Sequence, residues 1–68
     1  MASPLVTWQL RRVGARLRAR RDELELIGEQ LLALPEGADE EAMQRHRGHV
    51  TAEITRLETR QDQLLDRL

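Results

Sequence analysis

The chain has 68 residues and no cysteine, and its 11 basic and 12 acidic residues give a formal charge of −1. The lack of cysteine excludes disulfides and thiolate metal sites, and the near-neutral charge gives no argument for an acidic partner from overall basicity. A chain of this length makes one domain at most. Its core is small for holding the chain folded without help, so we expect association with another chain.

The first predicted element is a helix over about 4–34. Ser3 and Pro4 are typical of a helix start, because serine can cap free backbone amides and proline is tolerated in the first turn. Apolar residues then recur at alternating spacings of three and four, the heptad pattern of a helix with one packing seam. The seam of helix 1 runs Val6, Leu10, Val13, Leu17, Arg20, Leu24, Ile27, Leu31 and Leu34.

The second predicted element is a helix over about 39–67, which follows a turn over 35–38 that contains Pro35 and Gly37. Asp39 is placed to cap this helix. Its seam runs Met43, Arg47, Val50, Ile54, Leu57, Gln61, Leu64 and Leu68.

The two seams match layer by layer when the chain folds back on itself. The paired layers are Leu31 with Met43, Leu24 with Val50, Leu17 with Leu57, Leu10 with Leu64, and Val6 with Leu68. The predicted fold is therefore all-α, a two-helix antiparallel coiled-coil hairpin that forms a single domain over residues 1–68.

Three polar residues interrupt the seam, namely Arg20, Arg47 and Gln61. Arginine can bury its aliphatic stem and send its charged group to the edge of a core, where Glu23 or Glu53 can receive it. We interpret the three residues as controlling the register of the pairing rather than as ligands.

Helix 1 carries a second stripe away from the seam, and this stripe includes Trp8, the one aromatic residue of the chain. Turning a second copy antiparallel about residue 17 places Trp8 opposite Leu26 and Arg12 opposite Asp22, so that apolar and charge patterns agree. This predicts a homodimer, in the form of a four-helix bundle. The predicted interface, called the outer face below, consists of Leu5, Trp8, Arg12, Ala15, Ala19, Asp22 and Leu26. The alternative is a solvated helix with local ion pairs such as Arg18 with Asp22 and Arg21 with Glu25.

The first half of helix 1 is rich in arginine, which supports an alternative function. Arg11, Arg12, Arg16, Arg18 and Arg21 are candidates for neutralising the phosphates of RNA or DNA, which a dimer of helical hairpins would then bind. At helical spacing these residues spread around most of the helix, and a single tryptophan is not a platform for stacking bases. We therefore rank nucleic-acid binding second.

The function predicted first is non-enzymatic. We expect a cytoplasmic protein–protein interaction module, an adaptor, inhibitor or assembly component with a regulatory role, whose partners are a second copy and another protein. We expect no catalytic residue, metal, cofactor, small-molecule substrate or membrane partner. His46 and His49, with Glu53 one turn further, lack a fourth ligand for a metal and are expected to be surface residues.

Overall fold

The computed structural model describes residues 3–68, and it contains two α-helices and no strand within that range. Helix α1 spans Pro4–Leu32 and helix α2 spans Glu40–Leu65. The two helices pack against each other along a rod measuring 56 × 14 × 13 Å. The all-helical hairpin predicted from the two seams is therefore confirmed. Below, the open end is the end that holds Ser3 and Leu68, and the loop end is the end that holds the connection between the helices.

Helix α1 begins at Pro4 with Ser3 in the capping position. The Ser3 carbonyl accepts the Thr7 backbone N–H at 3.0 Å and the Thr7 hydroxyl at 3.2 Å, whereas the Ser3 side chain makes no capping hydrogen bond. The residue type therefore marks the correct position, but the expected side-chain cap is not formed.

Helix α1 ends at Leu32, two residues before the expected end at Leu34. A residue that precedes proline is sterically disfavoured in the helical conformation, so Pro35 keeps Leu34 out of the helix. The connection then turns at Gly37, whose φ of 85° is the left-handed conformation that glycine adopts without strain.

Helix α2 is capped as the sequence predicts, because Asp39 Oδ1 accepts the backbone N–H of Ala42 at 3.0 Å. At its other end the helix stops at Leu65, and the Leu68 N–H donates to the Leu65 carbonyl at 3.1 Å in a tighter turn. This turn takes Leu68 off the seam and leaves its side chain 57% exposed. The predicted pairing of Val6 with Leu68 is therefore wrong.

The core consists of seam residues. The buried ones are Val6, Leu17, Ile27, Val50, Ile54 and Leu64. Four of them form one cluster, Leu17, Ile27, Val50 and Ile54, and the partly buried Val13, Leu24, Leu31 and Leu57 pack against it. Val6 and Leu64 are buried nearer the open end. Six buried side chains among residues 3–68 are few, which agrees with the small core inferred from the length of the chain.

The three polar seam residues lie in different environments. Arg20 binds Glu23 on its own helix, and its Nε lies 3.5 Å from Glu53 Oε1 on the facing helix. Glu23 and Glu53, the two carboxylates expected beside the seam arginines, therefore both form ion pairs with Arg20. Arg47 is exposed and Gln61 is half-buried. Arg20 is thus the polar seam residue whose charge links the two helices.

A ladder of threonines follows the surface of α2. The hydroxyl of Thr51 donates to the Arg47 carbonyl at 2.8 Å, that of Thr55 to the Thr51 carbonyl at 3.2 Å, and that of Thr59 to the Thr55 carbonyl at 3.0 Å. Each hydroxyl therefore donates to the carbonyl four residues earlier in its own helix.

Candidate interaction surface

The outer face is exposed along the whole length of α1. All seven of its residues lie on the surface, because the heptad directs the seam toward α2 and this face away from it. The side chains of Leu5, Trp8 and Leu26 are 61%, 52% and 53% exposed. Ala15 and Ala19 lie between them and leave the backbone accessible for the close approach of another helix. The hairpin thus exposes an apolar stripe that α2 does not cover.

Trp8 is partly shielded by an arginine one turn further along the helix. The guanidinium carbon of Arg12 lies 5.0 Å from the centroid of the Trp8 ring, within the range of a cation–π contact. Such a contact is worth about 0.5–1 kcal/mol at an exposed site, too little to hold the indole against the hairpin. Arg12 therefore accompanies Trp8 as a positive charge on its face.

The hairpin separates charge along its length. The open half, residues 3–21 and 53–68, holds nine arginines and four carboxylates, a formal charge of +5. The loop half, residues 22–52, holds two arginines and eight carboxylates, a formal charge of −6. A second copy aligned antiparallel would therefore meet the opposite charge along its whole length.

The predicted nucleic-acid residues Arg11, Arg12, Arg16, Arg18 and Arg21 are all exposed. Arg21 pairs with Glu58 across the hairpin at 3.4 Å rather than with Glu25.

Near the open end, Arg12 and Arg16 of α1 share a groove with Arg60 of α2. Trp8, Val13 and Leu64 also line this groove. Folding thus adds an arginine from α2 that the sequence of helix 1 alone does not suggest.

A more apolar groove lies at the loop end, between the last turns of α1 and the start of α2. Its lining includes Leu26, Glu29, Ala33, Leu34, Pro35 and Met43. The early end of α1 opens this groove, because the chain from Ala33 onward leaves the helix. We call it the loop groove.

The histidines lie outside both grooves. His46 Nε2 is 3.1 Å from Glu23 Oε1, which links α2 to the carboxylate that also binds Arg20. His49 is exposed. Among the residues that the structure describes, no group of three or more His, Asp or Glu side chains is arranged to hold a metal ion.

Neither helix in the described range is long and apolar enough to cross a bilayer.

Three of these features were missed in the sequence. The spacing of Trp8 and Arg12 by four residues is a signal that can be recognised, as is the repeat of threonine every four residues in helix 2. The loop groove has no such signal, because it depends on where α1 ends and on the path of the loop.

Comparison with known proteins adds no relative. No family model matches this chain, and no curated protein and no solved structure matches it significantly.

Proposed function

We propose that this protein is a non-enzymatic helical interaction module that acts through the outer face of α1, and that its first partner is a second copy of itself. The observation that carries the proposal is the exposure of Leu5, Trp8 and Leu26 on one face of a hairpin whose own seam is already used. An apolar stripe with an exposed tryptophan is typical of a contact surface.

The arrangement of charge supports an antiparallel pair. With the two α1 helices antiparallel about residue 17, the open half of each copy lies along the loop half of the other. The arginine-rich segment then faces the acidic one in both directions, as a twofold axis requires.

The position of the outer face defines how four helices would assemble. Because this face points away from the seam, each α2 stays on the far side of its own α1. The pair is thus two hairpins side by side with the α1 helices at the centre, and the predicted four-helix bundle takes this form in the proposal.

Association also supplies what the small core lacks. In a dimer the two outer faces bury each other. This adds apolar contact to that of the six side chains buried within each hairpin. An adaptor, inhibitor or assembly role for a cytoplasmic protein follows if the same face, or the remaining surface of the dimer, binds a different protein.

The experiment compares two alanine-to-glutamate variants by sedimentation equilibrium. Ala19→Glu introduces a charge at the centre of the outer face and is expected to give a monomer, whereas Ala52→Glu, at an exposed position of α2, is expected to leave the dimer intact. Circular dichroism checks that both variants remain helical. A wild-type protein that stays monomeric at high micromolar concentration contradicts the homodimer.

Nucleic-acid binding is the second candidate, and the groove near the open end is the observation in its favour. Arg12, Arg16 and Arg60 surround this groove, within the half of the molecule that is formally positive. Binding through phosphates weakens steeply with salt. If RNA or DNA is the partner, affinity for a generic oligonucleotide falls steeply between low and physiological salt, and Arg60→Gln weakens it. No binding at low salt contradicts this candidate.

A further inference from the structure

The loop groove is an apolar depression in the formally acidic half of the molecule. Its apolar lining includes Leu26, Leu34, Pro35 and Met43, and Glu29 also lines it. Glu36, Glu40 and Glu41 lie in the same end of the molecule. An occupant that fits it has an apolar group to bury and a positive charge beside that group.

Trp8 with Arg12 has this chemistry. The indole is 52% exposed, and the Arg12 guanidinium lies 5.0 Å above its ring. The pair therefore combines a large apolar group with an adjacent cation, as the loop groove requires.

The antiparallel pairing brings the two features together. When the α1 helices pair about residue 17, Trp8 of one copy lies level with Leu26 of the other, at the edge of the groove. Side chains on a helix lean toward its N-terminus. In the antiparallel partner this direction is toward the loop end of the first copy, so the indole leans past Leu26 toward Ala33.

We infer that the loop groove is the binding site for Trp8 of a second copy, and that a dimer contains two such sites. Arg12 is carried with the indole and faces the carboxylates of Asp22 and Glu29, which lie on the same side of α1. The inference rests on the proposed homodimer and names the site at which the two copies recognise each other.

The test uses Trp8 as a fluorophore and a nitroxide as a short-range quencher. Because the chain has no cysteine and one tryptophan, a single introduced cysteine takes the label at one position, and Trp8→Phe makes the labelled copy silent. The labelled copy carries Gln30→Cys, at the lining of the loop groove. Its matched control carries Gln63→Cys, an exposed glutamine near the open end. Each labelled copy is mixed in excess with wild-type protein.

The expected result is strong quenching of wild-type Trp8 by the label at position 30 and little by the label at position 63. Equal quenching by both labels, or quenching by the label at position 63 alone, contradicts the binding of Trp8 in the loop groove. Sedimentation of the same mixtures separates the two hypotheses. Mixed dimers that show no quenching from position 30 contradict the binding of Trp8 in the loop groove but not the homodimer. The absence of any dimer, including in unlabelled wild-type protein, contradicts both.

Discussion

The Nε of Arg20 lies 3.5 Å from Glu53 Oε1 and is buried without a hydrogen-bond partner. The same guanidinium binds Glu23, so Arg20 forms an ion pair with a carboxylate on each helix while its Nε makes no hydrogen bond. Both carboxylates and the arginine are about one-third exposed, which weakens the ion pairs through solvent screening. The contact links the helices, but it is a poor source of stability.

We predict that Arg20→Leu leaves the melting temperature unchanged or raises it. Leucine removes the unsatisfied donor and adds an apolar side chain to the seam, and Glu23 and Glu53, each about one-third exposed, stay solvated when the arginine is removed. The loss of the polar seam residue should also make the oligomeric state less uniform in sedimentation velocity. Arg47→Leu is the control, because Arg47 is the seam arginine of the facing helix α2 and is exposed. A fall of several degrees in Arg20→Leu alone, with one oligomer retained, would show that Arg20 holds an essential charge network.

The register of the hairpin predicts which cysteines can be joined. Leu17 and Leu57 contribute to the same cluster from facing helices, so a Leu17→Cys, Leu57→Cys variant should form an intramolecular disulfide under mild oxidation. Leu64 is buried nearer the open end, away from that cluster, and the Leu17→Cys, Leu64→Cys variant should remain reduced. Non-reducing electrophoresis measures both. Preferential oxidation of the second pair would show a different register.

Two glycines are predicted to respond oppositely to alanine. Gly48 lies inside α2, and a Cβ at this position meets nothing within 4 Å, so Gly48→Ala should stabilise the fold by about 0.5–1 kcal/mol through helix propensity alone. Gly37 has a φ of 85°, and Gly37→Ala should destabilise the loop because alanine rarely adopts that conformation. Urea unfolding of both variants gives the free energies. Equal effects of the two substitutions would contradict the described loop conformation.

The melting temperature is predicted to rise with protein concentration. Folding that is coupled to dimerisation follows mass action, so dilution lowers the apparent stability. Melts over a hundredfold range of concentration, followed by circular dichroism, should therefore shift upward, and Ala19→Glu should abolish the shift. A wild-type melting temperature that is independent of concentration would show that the monomer folds alone.

The sequence predicts those parts of the fold that follow from periodicity. Leu17, Ile54 and the other buried residues all lie on the two seams, because only one face of each helix can pack on the other. The acceptors of Arg20 also follow from spacing, since Glu23 is one turn away and Glu53 lies beside the predicted layer.

The helix boundaries that were wrong, and the loop groove that was missed, depend on the ends of helices. Proline after Leu34 ends α1 early, and a tighter last turn removes Leu68 from the seam, although both residues fit the apolar pattern. The loop groove follows from this early end. Apolar spacing records which face a residue would occupy in a helix, and it carries no information on whether the helix continues to that residue.

The threonine ladder has a consequence for how α2 can be used. The hydroxyls of Thr51, Thr55 and Thr59 donate to carbonyls of their own helix. These side chains therefore present methyl groups and oxygen lone pairs to an approaching molecule. These three hydroxyls therefore have no hydrogen left to donate to a partner. Thr55 is therefore a suitable position for attaching a dye or an immobilisation tag, because its exposed side chain lies outside the outer face and outside both grooves.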